Sequence, residues 1–230
     1  MRPAGDTEQE HMKICQRCGK QLPEGSGPCS ERGVLPAAIY IFAALNIILF
    51  LVVELTGGSE NIGNMIRWGA VYGPRILEKK EYWRFLSAAF LHFGIAHISN
   101  NMLILFVMGP QLERVLGHLK FAVFYPVSAA AANVIAFFAE FSELEYRVSA
   151  GASGAIFAVS GGLLWAAVRN RGRAGTLSVR QILIFTVLSM AYGLTGEDVD
   201  NTVHAAGFVI GFLLGIILYR TDRTGGSEAL

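Results

Sequence analysis

Six side chains in this sequence, His92, His97, Asn101, Glu113, Ser153 and His204, are polar or ionisable yet stand within or at the ends of apolar stretches. Such groups are costly to place at membrane depth, so each is a candidate for function. A serine hydroxyl at its free pKa is a poor nucleophile, and an adjacent imidazole that takes its proton makes it a usable one. Ser153 and His204 are the pair whose types allow this chemistry: attack of the hydroxyl on a carbonyl, with the histidine carrying the proton. Acyl transfer also needs donors aimed at the developing oxyanion. Asn101 offers a side-chain N–H, His97 stands one helical turn before it, and the backbone N–H of Ser153 is a third candidate. No acid falls near His204 within the apolar segments, so a dyad is expected in place of a triad. Asp200, one turn before His204, is expected to be solvated in a loop.

The elements that must hold these groups are set by composition. Of 230 residues, 53% are hydrophobic and 16% charged, and mean hydropathy is +0.44. Soluble domains rarely reach this balance, and the apolar residues are bunched into segments separated by charged or glycine-rich stretches, as in a multi-span helical membrane protein. A net charge of +1 supplies no basic field for nucleic acid. Met1 to Arg32 is polar and has no apolar core, so no signal peptide is expected there.

Six helical spans are expected, over Leu35 to Leu55, Ile95 to Leu112, Leu119 to Ala139, Ala150 to Val168, Val179 to Leu194 and Thr202 to Tyr219. The first covers a hydrocarbon core of about 30 Å. The long connection from Thr56 to Phe93 mixes Trp68, Tyr72, Tyr82 and Trp83 with charges, which suits a loop lying in the membrane interface. Lys and Arg mark the cytoplasmic side. Arg169, Arg171, Arg173 and Arg180 fall between the fourth and fifth segments, whereas Glu197, Asp198 and Asp200 fall between the fifth and sixth. Both termini are therefore expected in the cytoplasm. In that topology His97 with Asn101, Ser153 and His204 each lie near the outer start of a different segment.

Ser153 sits in Gly151-Ala152-Ser153-Gly154, where small neighbours admit another backbone closely. Such clusters are also ordinary helix-packing devices, and His204 is what adds chemistry to this one. It precedes Gly207, Gly211 and Gly215, whose spacing of four forms one smooth face. The partner strip expected for that face is Ser153, Phe157 and Gly161, which would hold the serine beside the histidine.

Taken together, these residues resemble the rhomboid protease family. Gly151 to Gly154 resembles its G-x-S-G nucleophile motif, and His204 with Gly207 and Gly211 resembles its H-x-x-G-x-x-x-G motif. His92, His97 and Asn101 are similar to the string that supplies its oxyanion site, Trp83-Arg84 to the pair in its first loop, and Gly109 to Gly117 to its G-x3-E-R-x2-G stretch. The resemblance implies an all-α polytopic membrane protein with a six-transmembrane-helix bundle, no cofactor for catalysis, and a water-filled cavity opening outward. It implies hydrolysis of single-span membrane proteins near the outer end of their transmembrane segments, by Ser153 and His204. Residues 34–220 form the expected protease domain, between a cytoplasmic tail at 1–33 and a short one at 221–230. The expected location is the plasma membrane of a bacterium, in contact with the lipid bilayer and not with nucleic acid. Gly151, Gly154, Phe157, Gly207 and Gly211 are expected to serve packing and substrate. Phe157 stands where some members have a tyrosine stacked on the histidine, and Val203 where alanine often precedes it. Glu113 and Arg114 read as structural, Glu113 hydrogen-bonding loop backbone and Arg114 facing the cytoplasmic interface; His118 reads as an interfacial loop residue and His92 as a structural histidine.

Cys15-x2-Cys18 followed by Cys29 suggests a zinc knuckle in a reducing compartment, with His11 the nearby fourth ligand, or a degenerate remnant of one. The main rival for the whole chain is a catalytically inactive rhomboid-like protein that binds membrane clients. A metal enzyme using His92, His97 and His204 is disfavoured by the absence of H-E-x-x-H, and a transporter by the absence of mid-membrane charge.

Overall fold

The computed structural model describes residues 12–14, 21–23, 35–140, 147–195 and 200–219. Every one of the six expected segments is a helix: α1 (Ala37–Leu55), α5 (Gly94–Leu116), α6 (His118–Glu140), α7 (Ser153–Arg169), α8 (Val179–Thr195) and α9 (Asn201–Leu218). Three of them, α1, α6 over His118–Ala139 and α9, are long and apolar enough to cross a membrane. A fourth crossing results if Arg84–Phe90 and Gly94–Leu116, bent by 88° to one another, form one broken span. Helix α7 and Val179–Ala191 of α8 are apolar but shorter. Apolar side chains such as Ile41, Ile48 and Leu51 on α1, Val123 on α6 and Ile217 on α9 face outward. Lipid accepts such a surface where water would drive it into contact with another chain. The molecule is thus a multi-pass helical membrane protein, with length and composition alone crediting three or four of the six expected spans.

The long first connection is more ordered than an interfacial loop. It folds as α2 (Ile62–Trp68), α3 (Gly73–Lys79), α4 (Arg84–Ser87) and a 3₁₀ turn, Ala88–Phe90. Asn61 caps α2 by accepting the Asn64 N–H at 3.1 Å. Buried Arg84 staples the turns together, donating to the carbonyls of Ile66 at 2.6 Å and Ala70 at 3.0 Å and to Glu81 at 2.7 Å. A guanidinium with its donors divided among backbone carbonyls and one carboxylate holds three chain segments in a fixed relation. Asn133 of α6 then fastens the unit to the bundle by donating to the Phe85 carbonyl at 2.8 Å.

Small antiparallel pairings complete the chain. Strands β1 (Met12–Ile14) and β2 (Gln21–Pro23) pair with Ile14 opposite Gln21. Strands β3 (Arg173–Ala174) and β4 (Leu177–Ser178) form the turn between α7 and α8.

Glu113 is fully buried and does something other than bind a loop. Helix α1 begins after Pro36 without a side-chain cap of its own. The two carboxylate oxygens of Glu113, arriving from the far end of α5, accept the Ala38 and Ile39 N–H groups at 2.9 Å each. A carboxylate on two orphan amides at a helix N-terminus satisfies both and complements the dipole. His118 opens α6 instead of lying in a loop, and its Nδ1 pairs with Glu113 Oε1. Glu113→Ala should therefore lower unfolding free energy by roughly 2–5 kcal/mol, since two charge-assisted bonds are lost and two amides are stranded in an apolar setting. Thermal unfolding in micelles checks this. Glu113→Gln should recover part of the loss, and His118→Ala, on the half-exposed partner, should cost much less.

Candidate active site

Helix α7 begins at Ser153 and not at Ala150, because the two residues before it hydrogen-bond elsewhere. Gly151 lies at φ +147°, a value that glycine adopts freely and other residues resist. Its N–H donates to the Ala88 carbonyl at 2.9 Å. The Ala152 N–H donates to His92 Nε2 at 3.4 Å. The first helical bond of α7 runs from the Ile156 N–H to the Ala152 carbonyl, and no side chain caps this helix. The amides of Ser153, Gly154 and Ala155 therefore have no acceptor within the helix. The candidate nucleophile thus stands at a helix start whose dipole favours negative charge.

Helix α9 packs directly on α7, backbone against backbone. A methyl group on Gly207 would overlap the Gly154 carbonyl, one on Gly211 the Ala158 carbonyl, and one on Gly161 the Phe208 carbonyl. The glycine row of α9 accordingly meets the row Gly154, Ala158 and Gly162, one residue round the helix from the row expected. The reason is geometric: the smallest rows face each other so that the axes approach closely. Of the expected row, Phe157 stacks on His204 and Gly161 meets the Phe208 backbone. The Phe157 and His204 rings stack at 4.3 Å between centroids with 19° between planes. The imidazole is thereby held one turn along from Ser153. The Ser153 hydroxyl makes no hydrogen bond among the described residues.

His97 reaches the same place from α5. A methyl group on Gly151 would lie 2.9 Å from His97 Nε2 and 3.6 Å from Ser153 Oγ. Glycine at this position is what lets the imidazole approach the backbone so closely, beside the hydroxyl. His92, edge-on to His97 at 5.2 Å, supports the segment before Ser153 through Ala152. Its role was legible only as a polar residue in an apolar run, because the Ala152 amide it accepts lies 60 residues away. Asn101 follows one turn after His97, buried, with its Nδ2 donor unpartnered among the described residues. His204 Nδ1 and His92 Nδ1 are likewise buried without partners there.

Asp200 is not simply solvated. It is half-buried, and its Oδ1 caps α9 by accepting the Val203 N–H at 2.9 Å. Cys15, Cys18, Cys29 and His11 lie outside the described residues.

Residues 79–221, more than half of the chain, match the Rhomboid domain. This chain belongs to the rhomboid family. It is 34% identical over 183 residues to the rhomboid protease GluP of Bacillus subtilis, covering 80% of this chain and 35% of that protein. RHOMBOID-like protein 5 of Arabidopsis thaliana is 33% identical over 157 residues, covering 66% of this chain and 48% of that one. The rhomboid protease GlpG of Serratia proteamaculans is 28% identical over 176 residues, covering 74% and 59% respectively. The chain thus spans between about a third and three-fifths of the length of these relatives.

Rhomboid membership places hydrolase and protease chemistry at the level of the family, and here the glycine seam is what would align it. Gly211→Val should abolish folding of the α7–α9 pair, because its new atoms meet the Ala158 backbone and neither helix can give way. At Gly215 an added methyl would sit 3.2 Å from Trp165 Cβ and 3.3 Å from Gly162 Cα. Gly215→Ala should therefore cost much less thermal stability than Gly211→Val, the crowding being tenths of an ångström in place of a full overlap.

Proposed function

We propose that this rhomboid is an intramembrane serine endopeptidase that cuts single-span membrane proteins near the outer end of their transmembrane segment. The observation that carries the proposal is the stacking of His204 on Phe157, one turn after an uncapped helix start at Ser153. In this reading Ser153 Oγ attacks the scissile carbonyl and His204 takes its proton. His204 then delivers that proton to the leaving amine, and water hydrolyses the acyl-enzyme. The carbonyl oxygen, as it becomes an oxyanion, would sit beside Gly151, between His97 and Ser153. There the Ser153 amide, Asn101 Nδ2 and His97 Nε2 are the candidate donors. The chemistry needs side chains and water only.

The rest of the reading follows the topology. Residues 34–220 form a six-span domain with both termini in the cytoplasm of a bacterium, between tails at 1–33 and 221–230. In the first tail, strands β1 and β2 flank the stretch holding Cys15 and Cys18, and those thiolates with Cys29 suit a structural zinc. Zinc content of the purified full chain, compared with Cys15→Ser, tests that assignment.

The decisive experiment is labelling of purified protein with a fluorophosphonate and mapping of the modified residue. Ser153 should carry the label, and Ser153→Ala and His204→Ala should each abolish both labelling and cleavage of a single-span substrate while leaving the protein folded. Asn101→Ala should slow cleavage roughly 10- to 1000-fold with little change in stability, as removal of one oxyanion donor does. A folded parent that takes no label and cuts nothing would favour the inactive client-binding reading.

Substrate choice follows from the depth of the site. A helical substrate hides its carbonyls in i to i−4 hydrogen bonds and must unwind before attack. Gly or Pro near the outer end of its span should speed cleavage, because both weaken the helix where an aqueous cavity can satisfy the freed groups. A small residue should be preferred just before the cut. Moving a Gly-Pro site to the cytoplasmic end of the same substrate should abolish cleavage in reconstituted vesicles. Efficient cutting there would overturn the outward-facing assignment.

A further inference from the structure

The glycine seam locks α7 to α9 from Gly154 inward, but Ser153 is the first residue of its helix, and helix ends fray. Something else must fasten the segment that leads into it. Ser149 does this on two sides. Its backbone pairs with Val71 in an antiparallel bridge, with N···O distances of 2.9 and 3.1 Å. Its hydroxyl donates to Asp200 Oδ2 at 3.3 Å, while the other oxygen of that carboxylate caps α9. Ser149 stands four residues before Ser153, and Asp200 four residues before His204. One carboxylate therefore joins the approach to the candidate nucleophile with the approach to the candidate base.

We propose that Asp200 and Ser149 are positioning residues, a clamp across the mouth of the site that sets the separation of Ser153 from His204. The proposal rests on the dyad reading above. The clamp is separable from the cap: the Val203 bond fixes the start of α9 alone, and Ser149 takes no part in it. Ser149→Ala thus removes the tie and keeps the capping carboxylate, which is then held from one side only. Asp200→Asn keeps an acceptor for Val203 and offers Ser149 a donor in place of an acceptor, so the tie survives with its polarity reversed.

The test uses the full chain in phospholipid nanodiscs and three readouts: the rate of fluorophosphonate labelling at Ser153, thermal stability, and amide hydrogen exchange. Ser149→Ala and Asp200→Ala should each slow labelling roughly 10-fold, since a displacement on the order of 1 Å costs up to about 100-fold. Ser149→Ala should do so at nearly the parent melting temperature. The double variant should be no slower than the slower single one, and Asp200→Asn should recover most of the rate. Exchange should report the tie across the gap, with Asp200→Ala quickening the Gly151 and Ala152 amides and Ser149→Ala quickening Val203. Multiplicative effects on labelling, or exchange that changes only on the mutated side, would overturn the clamp. If the parent takes no label at all the dyad reading fails, and the exchange pattern still decides the clamp.

Discussion

In a bilayer, two helices gain nothing by hiding apolar side chains from water, because lipid tails are as apolar as leucine. What holds them is close contact, and the contact that organises this molecule is the seam between α7 and α9. At Gly207, Gly211 and Gly161 the opposing backbone occupies the place of a β-carbon. Each glycine in a helix interior costs about 1 kcal/mol relative to alanine. That cost is offset by dispersion along two backbones that meet without intervening side chains. The seam also fixes rotation. With carbonyls of one helix seated against glycines of the other, α9 cannot turn about its axis without collision. His204 is thereby committed to the face that carries Phe157, and the position of the imidazole is a consequence of packing several residues away.

The helices were legible because their signals are local. Apolar runs of the right length gave six segments whose ends fall within a few residues of those observed, and a spacing of four picked out the glycine row of α9. The partner row lay one residue off, since spacing defines rows on a helix but not which row faces the neighbour. The start of α7 depended on Gly151 at φ +147° and on acceptors at Ala88 and His92, none of them encoded in the periodicity around Ser153. Long-range polar partners were equally hidden. Glu113 reads as a helix-end carboxylate, yet the amides it caps lie 74 and 75 residues away. Arg84 was visible as half of a motif, whereas the carbonyls that give it its job become its neighbours only when the first connection folds into three short helices. Residue type predicted which groups needed partners; only the fold assigned them.

The two ends of the bundle handle polar groups differently. At the end where α1 starts, Glu113 takes two N–H groups and His118, and Gln111 accepts from Thr176 at 3.2 Å in the turn between α7 and α8. At the end where α5, α7 and α9 start, Asn101 Nδ2, His92 Nδ1 and His204 Nδ1 are buried and unpartnered among the described residues. Each such atom carries a desolvation cost of about 1–3 kcal/mol unless something fills the space beside it. Asn46 Oδ1, Tyr125 Oη and Trp165 Nε1 are also buried and unpartnered among the described residues, deeper in the bundle; the amide and imidazole atoms beside the start of α7 are the ones a substrate would meet in the proposed mechanism.

The helix starts sharpen that contrast. Of the three that meet at this end, α9 is capped by Asp200 and α5 has its Gly94 N–H accepted by the Ser59 hydroxyl at 3.2 Å, whereas α7 has no side-chain cap. A cap spends the positive end of a helix dipole on a fixed carboxylate, and an uncapped start keeps it for a transient charge. In the proposed mechanism α9 holds an imidazole that becomes cationic during reaction, for which a carboxylate on the same helix is an advantage. In the same mechanism α7 meets an oxyanion, for which a carboxylate on its first amides would be a competitor. Placing the acid on the helix of the base, and leaving the helix of the nucleophile bare, therefore matches the sign of charge that a serine–histidine mechanism develops at each.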